Sequence, residues 1–508
     1  MKAFLMHPDR DFDVEQELPP NAADLVQDLE LDVLFDAMAG GDPVLREVSR
    51  RATLLSLTEP ETIVYRQQVL ADCLEQPAVV REIYDLAVAA IEGERRGFYF
   101  LFRDSPDSIL TRSVQVLEFF AQMLARLRAV PDEHANAFRS PGFTRFFRML
   151  SQELGDDYLK TIDEHLKELR FRRGILVSAQ LGRGNKGRRY VLRRPRIQGW
   201  TSRLPVGNRS SYSFQIPERD QSGFRALSEL RGRGLNTVAN ALAQSTDHIL
   251  NFFRLLRVEL AFYIGCLNLH ERLTAKEEPT CVPVPVPAGT PSFATDGLYD
   301  VSLSLTVDQQ VVGNEVLADR KRLVMITGAN QGGKSTFLRS VGQAYLMMQA
   351  GMFVSADSFR ADVAGGVFTH YKREEDATME RGKLDEELDR MSGIVDQIGP
   401  HGLMLCNESF ASTNENEGSQ IARQVVHALV DAGVKVFFVT HLFDLAHGFH
   451  REGSDATLFL RAERQAGGRR TFKLRVGSPL PTSYGEDLYR RIFRDDARAE
   501  TDVGQRAG

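Results

Sequence analysis

Residues 322–340 read RLVMITGANQGGKSTFLRS, and this stretch decides the fold. The apolar run RLVMIT has the texture of a buried parallel strand, and TFLRSVGQAYLMM at 336–348 has helical spacing. Between them Gly328 to Ser335 fits the pattern G-x-x-x-x-G-K-S/T in the order strand, loop, helix. Glycines let backbone N–H groups converge on phosphate oxygens, and a helix N-terminus adds positive potential. The expectation is therefore a nucleotide site in which Gly328, Asn330, Gly332, Gly333, Lys334, Ser335 and Thr336 hold ATP. Lys334 would reach the outer phosphates and Ser335 would ligate Mg²⁺.

Two further apolar runs, GLMLC at 402–406 and VKVFFVT at 434–440, read as companion strands. The first ends in Asn407-Glu408, where an Asp-Glu pair would serve Mg²⁺ and the attacking water. Asn407 can hold a metal-bound water through its amide oxygen but brings no charge, and Glu408 is the candidate general base. The second ends in Thr440-His441, a position from which His441 can sense a terminal phosphate. The catalytic set expected is Glu408, His441 and Lys334, with Ser335 and Asn407 on the metal.

Upstream the texture is different. From Ala23 to Phe171 apolar residues recur at helical spacing, as at Leu110, Val114, Leu117, Phe120 and Leu124, which predicts a bundle of long helices. From Phe171 to Pro217 the chain turns to Gly, Arg and short alternating runs (GILVSAQLG, RRYVLRRPR, SSYSFQIP), which predict short strands. Those 47 residues hold eleven Lys/Arg and no Asp or Glu. Arg183, Lys186, Arg188, Arg189, Arg193, Arg194 and Arg196 are the candidate contacts to a DNA backbone, with Tyr190 and Trp200 placed to stack on unpaired bases. The stretch Leu235 to Leu273 is too apolar for a surface helix and predicts one or two buried ones. CVPVPVPAGTPSF at 281–293 reads as an extended linker or domain entry.

Over 508 residues, 63 Lys+Arg against 69 Asp+Glu give a net charge of −6, which excludes a uniformly basic, histone-like binder. No apolar run is long enough to span a membrane, and the start MKAFLMHPDRDFD lacks signal-peptide features, so a cytoplasmic protein is expected, nucleoid-associated if bacterial. The four cysteines form no C-x-x-C pair and are expected to be buried thiols. The acidic run 372–390 is expected to be a solvated helix with pairs such as Glu386 to Arg390.

Taken together, ITGANQGGKSTFLRS resembles the phosphate loop of the MutS family of DNA mismatch-repair ATPases, whose usual form is TGPN-x-GGKST. VVGNEVLADRKRLVMITG is similar to that family's approach to the loop, with Asn314 at its usual Asn. GMFVSA, VFTHY, NESFASTNENEG, the Thr-His pair and Ser483-Tyr484-Gly485 follow in the family's order, and LTEPETIVYRQQVLADCL at 57–74 is similar to the opening of its helical core. The resemblance implies a multidomain chain: a helical core and lever over 1–170, a basic clamp-like insert over 171–222, and returning lever helices over 223–280. An ABC-like P-loop NTPase domain of α/β type would follow over 281–493, then a frayed tail over 494–508. It also implies a homodimer paired through the ATPase domains, DNA as partner alongside repair or recombination proteins, and no membrane. Three features depart from the pattern. The residues before Arg66 are too few for the mismatch-reading domains and no Phe-x-Glu occurs; Asn407 replaces an Asp; and Glu380-Arg381-Gly382-Lys383 lacks the Ser that completes a neighbouring subunit's site, leaving Arg381 or Lys383 for that contact. The expected function is ATP-dependent binding of branched or distorted duplex in repair or recombination. The alternative is a nucleotide-gated scaffold that binds ATP without turnover, and the missing Leu-Ser-Gly-Gly-Gln sets the chain apart from transport ATPases.

Overall fold

The apolar runs around the glycine loop become the middle of a six-stranded sheet. In the computed structural model, which describes residues 1–97, 106–172, 174–194, 213–328, 332–373, 382–464 and 470–480, helices predominate and the strands form three sheets. The chain divides into two compact units. One comprises Met1–Ala3, Ala78–Phe138 and Phe143–Arg257; the other comprises Phe4–Pro77, Arg139–Gly142 and Val258 onward.

In the second unit the large sheet runs in the order Arg470–Val476, Thr457–Arg464, Leu323–Thr327, Lys435–Val439, Leu403–Asn407, Val367–Tyr371. Every pairing is parallel except that of Thr457–Arg464 with Arg470–Val476. Leu323–Thr327, Lys435–Val439 and Val367–Tyr371 are buried throughout, as expected of strands covered on both faces. Met404, Cys406, Val436 and Phe438 pack with Ala422, Val426 and Leu429 of the helix Glu415–Asp431 and with Leu445 and Phe449 of the helix Phe443–Glu452. Leu405 alternates to the opposite face, where Gly342 of the helix Lys334–Ala350 lies against it and against Leu29. That helix is buried nearly all round, because a second, four-stranded sheet also packs on it. This sheet has the order Val284–Val286, Ser358–Asp362, Phe293–Leu298, Asn314–Leu317.

One of those strands lies in the stretch read as a linker, and a second, Phe293–Leu298, begins at its last residue. Val284–Val286 pairs in parallel with Ser358–Asp362 despite Pro285, because it is an edge strand and only one of its sides needs ladder donors. Residues 4–77, which the sequence groups with the helical core, pack with the α/β unit instead. Leu57 N donates to Gln349 O at 2.9 Å, Gln343 Nε2 to Leu29 O at 3.0 Å, and Arg66 Nη1 to Ala350 O at 3.2 Å. Polar groups along Lys334–Ala350 thus find partners among the first helices and their connections.

In the first unit the helices Pro106–His134, Asp156–Leu169 and the first part of Gln221–Ala275 share a core of Leu110, Val114, Leu117, Leu166, Leu235 and Ala239. Gln221–Ala275 is a single helix of 55 residues, about 80 Å long at 1.5 Å per residue. Its apolar excess is concentrated after Leu250, where the run Leu260–Leu267 is buried, while residues 221–249 are amphipathic. The hairpin Leu176–Leu181 and Gly187–Arg193 realises two of the three short strands read from the basic stretch. The third does not form where it is described: residues 213–217 belong to no strand, and Phe214 is exposed. Cys73, Cys266 and Cys406 are buried free thiols and Cys281 is half-buried.

Candidate functional site

Leu323–Thr327 ends at Gly328, whose φ of +116° and whose closeness to Ala462 (an added Cβ would lie 3.0 Å from its N) leave room only for glycine. Asn330 lies outside the described residues. The loop closes at Gly332 and at Gly333, which has φ +85° and is the N-cap of Lys334–Ala350. Among the described residues no side chain caps this helix, and the amides of its first turn, from Lys334, Ser335 and Thr336, open its N-terminal end, a geometry suited to an anion. Lys334 is buried and donates from Nζ to Gly328 O at 2.9 Å, folding back over the loop. Burial pushes its ammonium below the ordinary value, partly offset by the charge of Glu408 and reinforced by that of Arg470.

The next two strands bring the remaining groups to the same end of the sheet, where ligands bind in open α/β sheets. Ser335 Oγ donates to Asn407 Oδ1 at 2.9 Å. Glu408 follows with φ +54°, its N donating to Val439 O at 2.9 Å, so the side chain leaves the strand direction and turns toward His441. His441 Nδ1 stands 3.7 Å from Glu408 Oε1, an electrostatic contact longer than a hydrogen bond. The imidazole is the main reason the Glu408 carboxyl lies below the usual carboxylate range; Lys334 and Lys372 act in the same direction and burial opposes them. Lys334, Ser335, Asn407, Glu408 and His441 therefore converge. The set offers a fixed ammonium, an uncapped helix end, two neutral oxygens suited to a hard cation and an ionised carboxylate able to accept a proton.

Behind Glu408 the following loop is tied to the acidic segment. Ser409 Oγ lies 2.7 Å from His370 Nδ1, and His370 Nε2 is 3.0 Å from Glu387 O. Burial holds His370 down to about 4, so it is neutral at neutral pH. Glu387, on the helix Lys383–Val395, is buried and accepts from Ser412 Oγ at 2.8 Å. The acidic run is thus not simply a solvated face, and Arg390 donates to Tyr371 O at 2.9 Å. Lys383 opens that helix, whereas Arg381 and Ser483-Tyr484-Gly485 lie outside the described residues.

The basic candidates gather on the hairpin of the other unit. Arg183, Lys186, Arg188, Arg189, Arg193 and Arg194 are all exposed there; Arg196 and Trp200 lie outside the described residues. Arg194 is paired with Glu168 and Arg193 donates from Nε to Ser178 Oγ at 2.9 Å. Tyr190 is covered by Arg233, whose guanidinium lies 5.9 Å from the ring centre.

Sequence reasoning assigned no structural task to Asn314 and passed over Phe472. Asn314 Oδ1 accepts from Leu474 N at 2.7 Å and its Nδ2 donates to Phe472 O at 3.3 Å. Phe472 in turn packs its backbone on Gly333, where an added Cβ would meet Phe472 O at 3.2 Å. No pattern of apolar residues signals a strand that touches the loop from 139 positions away.

A strand, glycine loop and helix at the centre of a mostly parallel sheet, with polar residues at the tips of the neighbouring strands, define an α/β domain of the doubly wound class. Residues 58–276 match the model of the MutS2 N-terminal domain, and residues 324–487 match that of MutS domain V. The chain belongs to the MutS family. It is similar to the DNA mismatch repair protein MutS of Porphyromonas gingivalis, 28% identical over 193 residues that cover 35% of this chain and 22% of the relative. It is also similar to the DNA mismatch repair protein MutS of Thermotoga maritima, 36% identical over 138 residues, or 27% of this chain and 17% of the relative. Endonuclease MutS2 of Thermus thermophilus is 30% identical over 178 residues, or 35% of this chain and 23% of the relative. The matched stretches thus span about a fifth of the length of these relatives. Among the described residues no helix is long and apolar enough to cross a membrane.

Proposed function

We propose that this chain is an ATP-dependent DNA-binding protein of repair or recombination, acting on branched or distorted duplex. The convergence of Lys334, Ser335, Asn407, Glu408 and His441 on one end of the sheet carries the reading. In this scheme the first-turn amides and Lys334 bind the phosphates of ATP, and Ser335 Oγ with Asn407 Oδ1 holds Mg²⁺. The donor set fits such an ion, since both groups are hard oxygens and already face each other. Bound Mg²⁺ would supply charge neutralisation at the phosphates. Glu408, kept ionised by His441, accepts the proton of the attacking water, and His441 stays within reach of the terminal phosphate. The exposed hairpin cations suit a phosphate backbone and carry no base-reading geometry, which favours recognition by shape. Pairing of two copies through the ATPase domains would couple nucleotide state to the grip on DNA.

Steady-state phosphate release with Mg-ATP, alone and with linear or four-way-junction DNA, tests the scheme. Turnover that needs Glu408 and responds to junctions is the expected result. The neutral Ser335–Asn407 pair favours a second reading, a nucleotide-gated scaffold. Tight ATP binding with no release above the Glu408→Ala background would select it.

A further inference from the structure

The segment Phe4–Phe12 belongs to no helix or strand, yet buried side chains hold its backbone in place. Tyr263 Oη donates to Leu5 O at 2.6 Å, Leu5 N donates to Glu259 at 2.7 Å, and Arg66 Nε donates to Met6 O at 2.8 Å. So fixed, His7, Arg10 and Phe12 wall a cavity of about 210 Å³, whose other side is the connection after the helix Pro43–Leu54. Two guanidiniums, Arg10 and Arg66, line it, and Gln16, Ser56 and Thr58 add neutral polar groups. Glu59 also lines it, but is exposed and already accepts from Thr62 Oγ1 at 3.1 Å.

The walls do not balance the positive charge. Arg66 is 2% exposed, and its hydrogen bonds go to Met6 O, to Ala350 O and to His7 Nε2. A guanidinium has five N–H donors and accepts nothing, so His7 Nε2 is the acceptor and the ring is uncharged. Burial, then Arg66, then Arg10 hold that imidazole down to about 3. No carboxylate among the described residues forms an ion pair with Arg10 or Arg66. Glu259 acts on Arg66 from farther off, but it is engaged by Leu5 N and Phe12 N, and burial raises it to about 7, so it is only partly ionised at neutral pH. Two like charges fixed on one cavity without a counter-charge favour an anion between them.

We propose that this cavity binds a phosphoryl group between Arg10 and Arg66, either as inorganic phosphate or as the end of a small phosphomonoester. Guanidiniums recognise tetrahedral oxyanions through forked, charge-assisted hydrogen bonds, and the neighbouring hydroxyls and amide supply further donors. The site is separate from the phosphate loop. Arg66 bonds Ala350 O, at the far end of the helix that Lys334 opens, about 25 Å away at 1.5 Å per residue.

The test titrates inorganic phosphate, glycerol 3-phosphate and acetate into the full chain by calorimetry, as wild type and as Lys334→Ala, which removes the lysine of the phosphate loop. A phosphate or glycerol 3-phosphate site that survives Lys334→Ala, with acetate about tenfold weaker or more, is the expected result. The tighter of the two phosphates tells the free ion from the ester. Arg10→Gln, at an exposed position, should weaken this site by about tenfold. Arg10→Lys keeps the charge without the fork and should fall between Arg10→Gln and wild type. Circular dichroism and melting temperature without phosphate verify the fold of each variant. Binding that Lys334→Ala abolishes belongs to the loop and overturns the inference. Acetate bound as tightly as phosphate, an affinity indifferent to Arg10→Gln, or no phosphate bound at all overturns it as well.

Discussion

Ser335 and Asn407 are joined by a hydrogen bond of 2.9 Å between two neutral groups, at the point where the loop helix meets the tip of the neighbouring strand. A carboxylate in place of the amide would bring a full charge to a hard cation held there. Asn407→Asp is therefore expected to lower the Mg²⁺ concentration for half-maximal nucleotide binding by about tenfold. A Mg²⁺ titration of ATP affinity on both proteins checks this, and superimposable curves would contradict it.

Glu408 is held below the usual carboxylate range chiefly by His441. The ionised form is thus favoured in the folded protein, and its contribution is present above about pH 4.5, the ordinary glutamate value, and lost as pH falls through the lower folded value. Removing His441 should move the acid limb of ATP turnover to higher pH. The rate profile of His441→Ala against wild type from pH 4 to 8 reads this directly, and Glu408→Ala should lower turnover by about 10² to 10⁴.

Arg66 illustrates how strongly the first helices are bound to the α/β unit. Fully buried, it donates from Nε to Met6 O at 2.8 Å and from Nη1 to Ala350 O at 3.2 Å, and its Nη2 lies 2.9 Å from His7 Nε2. Burial lowers its pKa to about 10, so it stays charged at neutral pH. Arg66→Met would leave two buried carbonyls unpaired, at about 1–3 kcal/mol each. A clear drop in urea midpoint is expected, and a midpoint within error of wild type would refute the assignment.

On the hairpin, Arg183, Lys186, Arg188 and Arg189 should matter more for DNA than Arg194, which Glu168 already engages. Reversing the four to Glu should weaken junction binding and reduce the slope of log K against log salt by about 0.9 for each phosphate that is no longer neutralised. Arg194→Glu alone should change both far less. Filter binding across a salt series distinguishes the two variants.

The central strands were legible because a parallel strand covered on both faces must be apolar along its whole length, as LVMIT, LMLC and KVFFV nearly are. The loop was legible for a local reason too: phosphate-binding backbone demands glycines at fixed spacing from a lysine. Val284–Val286 was hidden, because an edge strand can keep its prolines and so reads as a linker. So was the burial of Glu387 and His370, whose polar character marks them as surface until Ser412 and Ser409 are seen against them.

What the sequence by itself determined is the set of residues that carry chemistry and the strand, loop and helix that hold the phosphate end. Those features follow from short-range backbone geometry and hydrophobic pattern. Which distant residues stand beside them was left to the tertiary structure: Asn407 against Ser335, Phe472 on Gly333, Arg66 under Ala350. Such contacts join segments 72 to 284 residues apart. They are set by sheet order and by the need of buried polar groups for partners, neither of which any local pattern encodes.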